Sequence, residues 1–364
     1  MAEKSGSTKK SQQNNPDGKW NRRKFLQTGL LSSLALSLPL QAPAQIYGKK
    51  IVKPPRLKAG DTVGLINPAG ATFHPDDVTQ TEEILTALGL KSKRGKFILD
   101  RYGYLAGTDE HRAADINEFY ADKSVNALLS IRGGWGCNRI LPLLDYDTIK
   151  RNPKIIMGYS DITSLLVAIY AKTGVITFHG PVGTSTWNSY STQYVRDILF
   201  DGKMATMVNP RNMVDNLIQT KDRILTITPG TAKGRLVGGN LSVLTAMLGS
   251  DYLPDWRETI LFVEEIGEDI YRVDRMLTQL KLAGVLDKIS GFVFGKCTDC
   301  GSGEGYGSLT LDDLFNDLIK PLGIPAYYGA MIGHIADKFT VPVGANVEMD
   351  AGKGTIQMVE SAVS

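Results

Sequence analysis

The sequence predicts an α/β fold: a parallel sheet covered by helices on both faces, followed by a smaller second α/β region. From about residue 61, short apolar runs alternate with amphipathic stretches, the signature of successive βαβ units. The rhythm breaks between 186 and 231, where Pro210, Pro229, Gly230 and isolated charges interrupt it, and then resumes. The 364 residues are 42% hydrophobic and 22% charged, which suits one or two globular domains and excludes a disordered, collagenous or multi-span membrane chain.

Taken in order, residues 1–45 read as an export signal. A polar run to Asn15 precedes Asn21-Arg22-Arg23-Lys24-Phe25-Leu26, an apolar stretch over 28–40 and Ala42-Pro43-Ala44. A basic region, a short apolar region and a small-x-small site are the parts of a secretory signal, and adjacent arginines before Phe-Leu resemble the twin-arginine type. The apolar run is shorter than the about 20 residues that span a bilayer. Cleavage after Ala44 is therefore expected, leaving no stable membrane span and a periplasmic or otherwise exported protein; an uncleaved anchor is the alternative. Lys9, Lys10, Lys19, Arg22, Arg23 and Lys24 concentrate basic charge in this prefix. Because the whole chain carries only +3, the body is near neutral and nucleic acid is not an expected partner.

In the body, 62–66, 127–131, 155–158 and 175–178 read as buried strands, while 78–88, 110–120, 138–144 and 162–172 carry helical spacing. These form an expected first domain over 55–185, joined by a connection at 186–231 to a second domain over 232–364. There, strands are expected at 234–237, 259–264 and 291–294, helices at 241–248, 271–283 and 309–319, and short closing strands at 340–343, 347–349 and 355–359. The glycine-rich 301–307 reads as a surface loop.

Chemistry in parallel sheets collects at the carboxyl ends of strands. Gly158-Tyr159-Ser160-Asp161 sits where a strand gives way to a helix. A serine on such a turn projects its hydroxyl, and the Asp161 amide can donate to an oxyanion. The plainer alternative is a helix cap, and the Gly-x-Ser-x-Gly elbow pattern is not met. Arg132-Gly133-Gly134-Trp135-Gly136 follows the strand ending at Ile131 and permits close backbone approach, as an oxyanion site or a simple tight turn would need. It lacks the last glycine of a dinucleotide fingerprint, and no cofactor is expected. His334, in Gly333-His334-Ile335, and His179, in Phe178-His179-Gly180, both follow apolar runs and both qualify as a base. Glu264 and Glu265 end a buried strand; one can orient an imidazole, and the other can pair with Arg272 or Arg275. Cys297 and Cys300 are spaced for a local cross-link or half a metal site, and no metal is expected.

With Ser160, Glu264 and His334 laid out in that order, the chain resembles the LD-carboxypeptidase family, the muramoyltetrapeptide carboxypeptidases and their immunity-peptidase relatives. The likeness runs from Leu57-Lys58-Ala59-Gly60-Asp61 to about Gly344. It includes Gly103-Tyr104-Leu105-Ala106-Gly107, Arg112-Ala113-Ala114-Asp115, the motifs above and Tyr271-Arg272-Val273-Asp274-Arg275. The resemblance implies a Rossmann-like amino-terminal domain carrying the serine and a carboxyl-terminal domain supplying the acid and base. It implies Ser160 as nucleophile, His334 as general base, Glu264 as its orienting carboxylate, and the amides of Gly134 and Asp161 as an oxyanion hole. The implied substrate is a murein tetrapeptide that loses its terminal D-alanine. Arg132, Arg272 and Arg275 are candidates for its free carboxylate; Trp135 or Trp187 would stack adenine were the substrate a peptide-nucleotide conjugate. Alternatives are a peptide-nucleotide or other acyl conjugate as substrate, or a non-catalytic muropeptide-binding protein. A homodimer is an open expectation.

Overall fold

The first sheet grows from apolar runs too short for helices and flanked by turn residues. These are β1 (Thr62–Ile66), β3 (Ala127–Ser130) and β4 (Ile155–Gly158), all buried or nearly so. The computed structural model describes residues 50–211, 216–303 and 307–364, all within one unit; the expected export signal lies outside them. Between those strands run α1 (Pro75–Ala87), β2 (Lys91–Arg94), α2 (Asp109–Ala121), α3 (Cys137–Ile140) and α4 (Tyr146–Arg151). Next come α5 (Thr163–Thr173) and β5 (Thr177–His179). Pro75 opens α1 three residues before the expected start, as proline does where a donor is dispensable. The expected helix at 138–144 is shorter, because Pro142 turns its second half into a 3₁₀ turn. The sheet order is β12-β5-β4-β3-β1-β2, with β12 the late strand Val341–Val343.

The stretch 186–231 is more ordered than a bare connection. It contains α6 (Ser189–Val195), β6 (Thr206–Met207) and β7 (Leu225–Thr228), and both strands join the second sheet. That sheet is completed by β8 (Thr231–Asn240), β9 (Thr259–Ile266), β10 (Gly291–Thr298), β11 (Ala326–Tyr328), β13 (Asn346–Asp350) and β14 (Thr355–Met358). Its order is β6-β14-β13-β8-β9-β10-β11-β7, parallel from β8 to β11 and antiparallel at both flanks. The helices are α7 (Leu241–Ala246), α8 (Ile270–Leu282) and the short α9 (Leu311–Leu314).

β12 (Val341–Val343), expected among the closing strands of the second region, instead pairs antiparallel with β5 in the first sheet. The late chain is thereby stitched to the early one. α5 completes the junction: nine of its eleven residues are buried, and Thr163 Oγ1 accepts the Asn240 amide at 3.0 Å. A helix apolar on all sides belongs in the interior. The end of β4, which carries Ser160, is thus fixed against the end of β8 and, one strand over, against Glu264 on β9. Among the described residues no helix is long and apolar enough to cross a membrane.

Candidate active site

β4 ends at Gly158, and the chain turns through Tyr159 into a 3₁₀ turn, Ser160–Ile162, before α5 begins. Ser160 has φ +63°, a left-handed conformation that costs a non-glycine residue about 1 kcal/mol or more. Strain of this kind is stored where geometry is needed for function. The Asp161 amide lies in the first turn, where N–H groups lack intrahelical acceptors. Its side chain turns inward and accepts the Cys137 amide at 2.8 Å, while burial raises its pKa.

The loop after β3 lies against this turn. A Cβ on Gly133 would sit 2.9 Å from Ser160 Cβ and 3.1 Å from its Oγ, so only glycine permits the approach. Gly134 has φ +129°, and its N–H meets no acceptor among the described residues. Arg112, fully buried, holds the loop from behind. Its Nη1 donates to the carbonyls of Pro68 and Gly136, and its Nη2 pairs with Asp109.

Glu264 reaches the same place from β9. Completely buried, it accepts from His334 Nδ1 at 2.8 Å. Gly333 makes this contact possible, since its φ is +135° and a Cβ there would lie 3.1 Å from Glu264 Oε2. The apolar run before His334 is not a strand: β11 ends at Tyr328 and the histidine stands in the irregular segment beyond it. The Tyr159 ring packs edge-on against the imidazole with centroids 4.9 Å apart. Behind it, the Lys338 ammonium lies 4.4 Å from the Tyr159 ring centre, and burial pulls its pKa down to about 8 despite the attraction of Glu264.

Ser160, His334, Arg132, Gly133, Gly134 and Tyr159 line one cleft of about 390 Å³. Ser160 and His334 share it without a direct hydrogen bond, and such contacts commonly tighten only with substrate bound. Arg132 Nη1 donates to the Ala71 carbonyl, leaving other donors of its fork available. His179 does not line the cleft. It is buried between Tyr159 and Phe262, and burial lowers its pKa to about 4. Glu265 faces away from Glu264 and makes neither expected arginine pair: it accepts from Asn240 and Ser242 at the start of α7 and from the Ile266 amide at the end of its own strand. Arg272 is exposed beside Glu268 and Tyr271, outside the cleft. Trp135 is exposed next to the cleft-lining Gly134, whereas Trp187 is half-buried against the core and donates to the Val182 carbonyl.

Asp77, Val182 and Thr184 also line the cleft and carry no motif that would single them out. Tyr159 was legible only as the neighbour of Ser160, Arg112 only as part of a family motif without a role, and Lys338 carried no signal. Cys297 and Cys300 form a disulfide. Among the described residues no group of three His, Cys, Asp or Glu side chains could hold a metal ion.

The fold and the cleft at the joined strand ends define a hydrolase of the two-domain α/β type, and comparison with known proteins gives its family. Residues 63–180 match the LD-carboxypeptidase N-terminal domain and residues 233–349 the LD-carboxypeptidase C-terminal domain. The chain belongs to the LD-carboxypeptidase family and is a carboxypeptidase. It is 38% identical over 316 residues to the probable murein peptide carboxypeptidase of Bacillus subtilis (strain 168), covering 86% of this chain and 95% of that one. It is 31% identical to the microcin self-immunity protein MccF of Escherichia coli, over 85% of this chain and 96% of MccF. The structure of apo MccF superposes with a TM-score of 0.77 at 30% identity, covering 86% of this chain and all of that one. Muramoyltetrapeptide carboxypeptidase from Oxalobacter formigenes superposes with 0.68 at 27% identity, covering 82% and 97%.

Proposed function

We infer that this chain is a serine-type carboxypeptidase that removes the terminal D-alanine from murein tetrapeptides outside the cytoplasm. The observation that carries the reading is the shared cleft: a strained Ser160, a glycine loop pressed against it, and His334 bonded to a buried Glu264. Ser160 Oγ bonds to the scissile carbonyl carbon as His334 Nε2 takes the hydroxyl proton. The carbonyl oxygen becomes an oxyanion facing the amides of Gly134 and Asp161. Collapse breaks the C–N bond, and the leaving D-alanine nitrogen receives the proton from His334. Water then repeats the sequence, freeing Ser160 and a new carboxylate. Glu264 holds the imidazole and opposes the positive charge it acquires. Arg132 is the cleft cation suited to the free carboxylate of the substrate.

The B. subtilis relative is described as a murein peptide carboxypeptidase, which supports the substrate class. Arg22-Arg23 ahead of the short apolar run supports export. The higher TM-score of MccF supports a second reading, in which the same residues cleave an acyl-sulfamoyl nucleoside of the kind bound in MccF complexes. Mass spectrometry of muropeptides incubated with the protein distinguishes the two. Loss of one D-alanine from tetrapeptides supports the first reading, and an unchanged mixture alongside a cleaved acyl-sulfamoyl nucleoside supports the second.

A further inference from the structure

His334 stands on a loop whose two ends are joined, since the Phe339 amide donates to the Met331 carbonyl at 2.8 Å. The start of α6 clamps the second half of that loop. Ser191 Oγ donates to the Ala336 carbonyl and accepts the Lys338 amide, and Asn188 donates to the Asp337 carboxylate at 2.6 Å. The Lys338 side chain is thereby turned inward and is only 4% exposed. Its ammonium lies 4.4 Å from the Tyr159 ring centre, and that ring meets the His334 imidazole with centroids 4.9 Å apart. The two distances keep ammonium and imidazole within about 9 Å of each other. At an effective dielectric constant of about 20, charges that close shift one another's titration by about one pH unit.

Glu264 makes this proximity matter. Fully buried, it accepts from His334 Nδ1 with Oε2, while its Oε1 meets no hydrogen-bond donor among the described residues. A carboxylate so placed draws positive charge toward it. An imidazole that supplies the charge is already protonated and cannot take the proton of Ser160. We propose that Lys338 is a positioning residue whose buried ammonium offsets Glu264, so that His334 stays neutral and able to act as the base; this rests on the serine mechanism above. The other groups that face His334 cannot do the same. His179, on β5, is held uncharged, since burial lowers its pKa to about 4, and burial raises that of the Tyr159 phenol. Lys296, on β10 beside Gly333, is paired with Asp222 at 3.3 Å. Arg132 and Asp77 face the open cleft, where water and salt screen them. Burial brings the Lys338 pKa down to about 8 against the attraction of Glu264. The ammonium is therefore charged where a histidine ordinarily titrates and is lost at higher pH.

Two measurements test the proposal. The first is kcat/KM against pH. In Lys338→Met and Lys338→Gln the acid limb is expected to move about one pH unit upward, a loss of about tenfold on the acid side. Above about pH 9 the wild-type lysine is itself uncharged, and the variants and the wild type should converge. Lys338→Arg keeps the charge and should keep the limb where it is. A loss equal at every pH, or an arginine variant that follows the methionine one, confines Lys338 to structure and overturns the proposal. The second measurement needs no turnover: NMR titration of the His334 ring in Ser160→Ala labelled with nitrogen-15 histidine, with and without Lys338→Met or Lys338→Gln. The His334 midpoint should rise by about one pH unit when the ammonium is removed. An unmoved midpoint overturns the proposal. A midpoint that rises while the acid limb of kcat/KM stays in place upholds the coupling to Lys338 and takes the role of base away from His334, so the two readings fail separately.

Discussion

Gly133 and Ser160 are packed so tightly that a methyl group on the glycine would lie 2.9 Å from the serine Cβ. The loop after β3 and the turn that carries the proposed nucleophile thus position each other. Gly133→Ala must push one of them away, and displacements near 1 Å at a reacting centre cost about a hundredfold in rate. The expected outcome is kcat reduced by about a hundredfold, with a stability loss of only about 1–3 kcal/mol. Steady-state kinetics and a thermal melt on the same preparation check it. Ser160→Ala, which keeps the turn and removes only the attacking oxygen, is expected to abolish turnover with an unchanged melt.

Glu264 and Glu265 are adjacent on β9, and the strand sends them to different tasks. Glu264→Gln preserves shape but removes the charge that stabilises a protonated His334, so kcat is expected to fall by about a thousandfold or more. Glu265 accepts from Asn240, Ser242 and the Ile266 amide. A glutamine there offers one acceptor oxygen and confronts the remaining donors with an NH₂ group, at a cost of about 1–3 kcal/mol in stability. Kinetics should single out the first substitution and melting the second. The reverse pattern would exchange the two roles.

Arg112 joins the Pro68 and Gly136 carbonyls and pairs with Asp109 while fully buried. Arg112→Met leaves three acceptors without their donor, and breaking a buried ion pair by removing one partner costs about 3–5 kcal/mol. Arg112→Lys keeps the charge but cannot span both carbonyls with a fork. It is expected to retain the fold while lowering kcat about tenfold through the loop that carries Gly134. Kinetics together with urea melts of both variants measure this, and a lysine variant with normal kcat would confine Arg112 to stability.

Export is tested by fractionation. With Arg22 and Arg23 both changed to Lys, the full-length protein should remain in the cytoplasm, because the twin-arginine route reads the guanidinium pair. Continued export of that variant would contradict the route.

How much of this was legible before the structure differs by element, for physical reasons. The strands at 62–66, 127–130 and 155–158 are continuous apolar runs buried on both faces, so pattern sufficed. β2, Lys-Ser-Lys-Arg, is exposed throughout and exists only because it pairs with β1 at the sheet edge, where charge is protective. No local pattern announces that Val341–Val343 pairs with Thr177–His179, since register between segments so far apart in the chain is a tertiary outcome. In the site, Ser160 and Gly133 were visible as strand-end motifs, and the choice of His334 over His179 came from the family resemblance. Arg112 was visible as part of a motif, but its interior role, like that of Lys338, was hidden because arginine and lysine ordinarily face water, and only packing makes them interior.

His179 gives the fold an acid sensitivity whose sign can be worked out. Burial lowers its pKa from 6.5 to about 4; Glu264 pulls it upward, and His334 and Lys338 push it further down. Between these values the unfolded chain binds a proton that the folded protein refuses, so stability falls as pH drops from 6.5 toward 4. Full expression of that shift amounts to roughly 3 kcal/mol. Asp115 works in the opposite direction. Burial raises its pKa from 3.8 to about 6, so the folded state takes up a proton first and regains stability over much of the same window. Removing each group separates the two contributions. His179→Asn should flatten the decline in melting temperature between pH 6.5 and 4.5, and Asp115→Asn should steepen it. Melts of the three proteins in matched buffers make the comparison. An unchanged slope in His179→Asn would show that the folded protein takes up the imidazole proton as readily as the unfolded chain does, which would require an acceptor for its second N–H inside the core.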